Sequence, residues 1–196
     1  MSKSVQPLIL ASQSPRRREI LQQIGVVFEP VSVDVPEVRQ VDETPMAYIA
    51  RLARDKAQAG LSCAKPQQYS LGSDTVCLLG EKVLEKPLNE AEAIQMLQMM
   101  AGKTHRVATA VCLTNGEHLA EAVSVTEVSF RQISEAECRR YWSTQEPCDK
   151  AGGYGIQGLG AVFVEQIKGS YSGVMGLPIE ECYRLFKEFN IPYWQA

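Results

Sequence analysis

Apolar positions along this chain follow two rhythms, and the change from one to the other marks out its elements. Leu8 to Ala11 form an unbroken apolar run that reads as a short buried strand. Ser12 to Ser14 then make a polar turn, and Pro15 suits the first position of a helix with Ser14 as its N-cap. Ile20, Leu21 and Ile24 recur at one and four residues to give that helix an apolar face, and Gly25 stands where it stops. From Val26 to Glu37 the pattern is that of an extended segment, punctuated by Pro30 and Pro36, which ends in a polar loop through Asp42 and sets Glu37 in or beside it. Thr44 as cap and Pro45 behind it open a second helix to about Gly60, with the stripe Tyr48, Ile49, Leu52, Ala53 and Ala57. Lys56 lies on that same stripe, whereas Arg51, Arg54 and Asp55 fall mostly off it.

The period then returns to that of strands. Leu71 to Leu79 reads as a strand interrupted by Asp74, followed by a turn at Gly80 and Glu81, a short return strand and a stop at Pro87. Asn89, with Glu92 three residues on, predicts a capping-box-like helix start; Ile94, Leu97 and Met100 face inward and Gly102 ends the helix. Asn115 and Gly116 sit at the centre of a long hairpin. In its second strand Val123 and Val125 share one parity while Val128 and Phe130 share the other, which predicts a bulge or face switch near Glu127. Ser134 and Glu137 form a second capping box for a helix that ends by about Trp142. A glycine-rich run begins at Gly152, an apolar strand is predicted over Ala161 to Ile167, and a last helix opens at Pro178 and runs to about Phe189. Without repeats, low-complexity stretches or a free linker, the chain reads as α/β with a long, partly antiparallel sheet.

Composition narrows the function classes. A chain of 196 residues, 45% hydrophobic and 22% charged, is ordinary for a soluble globular protein and long enough for one large domain or for two lobes sharing a sheet. Its formal net charge of −3 supplies no basic field for a nucleic-acid backbone, so any phosphate site must be a local cluster and a small anionic ligand fits better than a polymer. Cys63, Cys77, Cys112, Cys138, Cys148 and Cys182 include no C-x-x-C pair or zinc spacing, and no secretory segment precedes them; they read as reduced thiols of a cytoplasmic protein. No apolar run approaches the ~20 residues that span a bilayer.

Two phosphate-loop patterns fail on context. Gly153, Gly155 and Gly158 satisfy G-x-G-x-x-G but precede a predicted strand instead of following one, and the AGKTH stretch at 101 to 105 has Leu97 where a phosphate loop needs its first glycine. What remains is a set of groups at element ends. Ser12, Ser14, Arg16 and Arg17 gather hydroxyls, unpaired helix N–H groups and guanidiniums into an anion seat; pairing of some arginines with Glu19 or other surface acids is the ordinary alternative. Lys56 is either a second phosphate contact or a lysine stem lying along an apolar face with its head in water. Asp74, inside a strand that looks buried, must be paired, hydrogen-bonded or metal-bound, and with Glu37 it offers the oxygen ligands that magnesium prefers. Lys86 is a further basic candidate, and the glycines near Gln157 leave room for a ligand to approach the backbone. His105 and His118 have no ligand or triad neighbours and read as strand polar positions.

Taken in order, the stretches LILASQSPRRREIL, FEPVSVDVPE, RLARDKA, LGSDTV, LEKP, GKTH, DKAGGYGIQG and GSYSGVMGLP resemble the Maf family of nucleoside triphosphate pyrophosphatases from about Leu8 to about Leu185. The resemblance implies one domain over residues 1–196, α/β, with a long twisted mixed sheet, flanking helices and two lobes around a central cleft, related to the inosine-triphosphate pyrophosphatases. It implies cleavage of a nucleoside triphosphate to monophosphate and pyrophosphate with Mg²⁺ or Mn²⁺. Carried over by position, Asp74 is the proton acceptor and, with Glu37, the metal-binding pair; Ser12, Ser14, Arg16, Arg17, Lys56 and Lys86 bind substrate. Arg16, Thr75 and Gln157 match the branch that acts on dTTP and UTP, whereas the branch resembling a 7-methyl-GTP pyrophosphatase has tryptophan in place of the first arginine. Ser73 and Pro36 depart from the residues most common there. The family also suggests a homodimer. A non-catalytic nucleotide sensor in septum formation, or an enzyme removing modified nucleotides, are the competing readings.

Overall fold

The computed structural model describes residues 6–195. Its strands are β1 (Leu8–Ala11), β2 (Phe28–Val31), β3 (Ser70–Leu79), β4 (Lys82–Leu84), β5 (Thr104–Thr114), β6 (Leu119–Phe130) and β7 (Val164–Lys168). Between them lie α1 (Pro15–Gln23), α2 (Pro45–Gly60), α3 (Glu90–Met100), α4 (Glu135–Trp142), α5 (Tyr171–Met175) and α6 (Ile179–Glu188). The strands form one seven-stranded sheet in the order β2-β1-β3-β5-β6-β7, with β4 paired to β3. β1 runs parallel to both β2 and β3, whereas the β3–β4 and β6–β7 pairs are antiparallel. This is an α/β fold with a mixed sheet.

The described chain divides into two compact units. The first comprises residues up to Asp74, Thr109–Val123 and residues from Gly176 on; the second comprises Thr75–Ala108 and Ser124–Met175. In the first, all four residues of β1 are buried, as its unbroken apolar run requires of a strand covered on both faces. Small residues seat α2 against the strands. A Cβ at Gly72 would lie 2.1 Å from the Ala53 carbonyl oxygen and 2.5 Å from the Ala57 nitrogen, and one at Gly60 would lie 2.3 Å from Ser70 Oγ. The absence of those side chains therefore allows helix and strand backbones to approach closely.

In the second unit Phe130 packs edge-on to His105 and Tyr154, each with ring centroids 4.7 Å away. His105 Nε2 and the Tyr154 hydroxyl lie 2.8 Å apart. Burial lowers the His105 pKa from 6.5 to about 4, so the ring stays neutral near pH 7 and serves as core. Ser134 and Glu137 complete the predicted capping box of α4. At α3 only half of the box forms: Asn89 Oδ1 accepts from the Glu92 N–H, but the Glu92 carboxylate accepts from the N–H of Leu88.

Three local expectations change. β6 keeps one alternation over its second-unit residues, with Ser124, Thr126, Val128 and Phe130 buried and Val125 47% exposed. No face switch occurs at Glu127, because Thr126 can be buried: its Oγ1 accepts from the Ser170 N–H at 2.9 Å and bonds the Ser170 carbonyl at 3.2 Å, so its polar group is satisfied. The irregularity falls instead at Ser129/Phe130, opposite β7. Residues Leu159–Phe163 form a 3₁₀ turn, so β7 begins only at Val164. The short helix α5 is not foreshadowed in the apolar pattern.

Candidate active site

The first unit gathers its chemistry where β1 hands over to α1. Ser12 donates its N–H to the Leu10 carbonyl at 2.9 Å, and its hydroxyl accepts from the Ser14 N–H at 3.2 Å. Ser14 stands at the N-cap position but its side chain makes no cap hydrogen bond, and no acid lies in the first turn of α1. Arg17 reaches back over this turn. Its Nη1 donates to Ser12 Oγ at 3.2 Å and its Nε donates to the Gly176 carbonyl at 2.8 Å. That same carbonyl accepts from the buried Ser73 hydroxyl at 3.0 Å. Burial pushes the Arg17 pKa down; Asp74 opposes this, Arg16 adds to it and Glu37 opposes it. A guanidinium nevertheless stays charged throughout the physiological range.

Lys56 is held by two carboxylates. Its head is not in water: Nζ bonds Asp74 Oδ1 at 2.6 Å and Glu37 Oε1 at 2.5 Å. The lysine side chain is 11% exposed and that of Asp74 13%. One ammonium thus holds a carboxylate from the middle of β3 and another from the long loop after β2. Gly72 contributes by letting α2 lie close enough to β3 for this pairing, since Ala53 and Ala57, which its missing Cβ would strike, flank Lys56 on the helix.

Among the described residues no group of three or more His, Cys, Asp or Glu could hold a metal. A magnesium-type ion needs fewer protein ligands than that when a phosphorylated ligand and water complete its shell. The gathering of the Asp74 and Glu37 oxygens about one nitrogen supplies the hard donor pair that such an ion takes, so these residues fit it.

Ser12, Ser14, Arg17, Lys56, Glu37 and Asp74 are therefore linked by direct contacts in two small sets, with Arg16 and Asp74 both felt by Arg17. Thr75, Lys86 and Gln157 belong to the second unit. Thr75 follows Asp74 in β3, Lys86 is exposed after β4, and Gln157 is exposed in the turn closed by the Gly158 N–H and the Gly155 carbonyl at 3.2 Å. Around that turn stands a residue the sequence reading did not single out. Glu146 accepts from the Tyr141 hydroxyl at 2.6 Å and from the N–H groups of Leu159 and Gly160 at 2.8 and 3.0 Å. Burial acts to raise its pKa, but the Tyr141 hydrogen bond and the two amides outweigh it and hold the carboxyl below its ordinary value. Ser73 stood out in the sequence only as a departure from the common residue; its pairing with the Gly176 carbonyl left no local pattern, since the two lie about a hundred residues apart.

A family model described as Maf-like protein matches residues 7–189. The chain, an α/β protein in which a helix lysine is held between a strand carboxylate and a loop carboxylate, belongs to the Maf family. A protein of Saccharophagus degradans named dTTP/UTP pyrophosphatase is 53% identical over 191 residues, covering 96% of this chain and 91% of that protein. One of the same name from Vibrio parahaemolyticus is 47% identical over 189 residues, 96% of this chain and 100% of its own length. Another from Escherichia coli K12 is 46% identical over 183 residues, 93% of each chain.

Proposed function

We propose that this protein hydrolyses dTTP and UTP to the nucleoside monophosphate and pyrophosphate. The observation that carries the reading is the Lys56 ammonium held between Asp74 and Glu37, in a chain about half identical to a protein named for this activity. Water is split across the α–β anhydride: its oxygen joins phosphorus, one proton passes to Asp74, and pyrophosphate departs with the bridging oxygen. Glu37 assists Asp74. An ammonium has three N–H donors; two go to these carboxylates, and the third is what a phosphate oxygen takes. Arg16, Arg17, Lys86, Ser12 and Ser14 grip the remaining oxygens, so that positioning and electrostatics supply most of the rate. Asp74 and Glu37 would hold a Mg²⁺ or Mn²⁺ ion, which would supply neutralisation of the phosphate charge. Arg16, Thr75 and Gln157 set the preference for pyrimidines, because a site built to hydrogen-bond its substrate rejects analogues that leave those groups unpaired.

The reading extends to the cell. All six cysteines are free thiols, which supports a reducing cytoplasmic setting. No described helix is long and apolar enough to cross a membrane. We take the working form to be a homodimer, for which light scattering should give twice the chain mass of 21.7 kDa; a mass of one chain contradicts it.

The test of activity is product release across all common ribo- and deoxynucleoside triphosphates with Mg²⁺ or Mn²⁺. The expected result is pyrophosphate and monophosphate from dTTP and UTP. Best activity on a purine or modified nucleotide overturns the substrate assignment, and tight binding with no turnover turns the protein into a nucleotide sensor.

A further inference from the structure

Glycine-rich runs invite a ligand to the backbone, yet here the space over three of the glycines is already filled by the protein. A Cβ at Gly158 would lie 2.2 Å from Glu146 Oε2, one at Gly155 would lie 3.0 Å from Glu146 Oε1, and one at Gly160 would lie 2.6 Å from the Tyr141 hydroxyl oxygen. The glycines thus admit a carboxylate and a phenol to the main chain. The Tyr141 hydroxyl donates to Glu146 Oε1 at 2.6 Å and accepts from the Gly155 N–H at 3.0 Å. Glu146 takes the N–H groups of Leu159 and Gly160 at the other end of the turn. Gln157 sits exposed between these two anchored ends.

We propose that Glu146 and Tyr141 are positioning residues that fix the Gly155–Gly160 turn and thereby the side chain of Gln157 against the base of the substrate. The proposal rests on the reading of Gln157 as a base contact. Neither residue touches substrate; they act through the turn. Both are anchored independently of it. Tyr141 packs edge-on to Phe163 with ring centroids 5.1 Å apart, and the Glu146 carbonyl accepts from Lys150 Nζ at 2.7 Å. Removing one polar atom therefore loosens the turn without emptying the core. Glu146→Gln replaces an acceptor with an NH₂ that cannot receive an amide N–H, and Tyr141→Phe keeps the ring while removing the acceptor for Gly155.

The experiment compares wild type, Glu146→Gln, Tyr141→Phe and Gln157→Ala in two readouts. Amide hydrogen exchange should accelerate at residues 155–160 in Glu146→Gln and Tyr141→Phe and stay unchanged in α3. The ratio of kcat/KM for UTP to that for GTP should fall by roughly five- to tenfold in both, following Gln157→Ala, with the GTP rate little altered. A merely structural role would lower the two substrates together and leave their ratio intact. A changed ratio in Gln157→Ala with no change in either positioning variant overturns the proposal alone. An unchanged ratio in Gln157→Ala overturns the reading of Gln157 and the proposal with it. If Glu146→Gln fails to fold, Tyr141→Phe carries both readouts.

Discussion

At the scale of single residues, charged or polar groups in low-dielectric surroundings do different work according to their partners. Lys56 and Asp74 are nearly buried but paired, and Glu37 adds a second carboxylate; a cluster of this kind is costly to break, because removing one partner leaves the other charge buried and uncompensated. His105 is the contrary case, buried against the Tyr154 hydroxyl and the rings of Phe130 and Tyr154. Its pKa falls from 6.5 to about 4, so as pH drops the unfolded chain takes up the proton first. The stability this neutral ring contributes is present above about pH 6.5 and is lost toward pH 4. Urea denaturation at pH 7.5 and pH 5 should show the wild type losing about 2 kcal/mol more than His105→Gln over that interval. Equal losses would contradict the assignment.

At the scale of elements, the pairing of α2 with β3 decides whether the cluster exists. Gly72→Ala would put a methyl group 2.1 Å from the Ala53 carbonyl oxygen, and helix backbone cannot swing aside as a side-chain tip can. The expected outcome is a loss of about 1–3 kcal/mol with a lowered kcat, because Lys56 moves with the helix; a melting temperature equal to wild type would refute the close seating. Much of this level was legible in the chain. β1 and α1 follow from an apolar run and a Pro-initiated helix, and α2 matches its predicted bounds and stripe. Lys56 and Asp74 stood out because each breaks an apolar pattern, which is a local signal. Ser124 and Thr126 were unreadable as inward positions because the partner that makes Thr126 tolerable inside, Ser170, comes from a distant segment. Glu146 was hidden for the same reason, its donors lying at residues 141, 159 and 160.

For the whole molecule, the balance of charge argues for local chemistry. With a formal net charge of −3, the protein as a whole repels a polyanion, so under the proposed function affinity for a triphosphate has to come from a local concentration of arginines and lysines. Arg17 illustrates the arrangement: Ser12 and the Gly176 carbonyl orient its guanidinium, and the Asp74 carboxylate acts on its charge. The account stands on Asp74 as the group that takes the proton. Its most direct test is the initial rate of pyrophosphate release from UTP by wild type and Asp74→Asn, with melting temperatures measured on both to confirm folding. The amide keeps the shape of the carboxylate but cannot accept a proton as a base, so a fall of about 10²-fold or more in kcat with a folded variant is expected. A folded Asp74→Asn protein that turns over UTP at the wild-type rate would contradict the account.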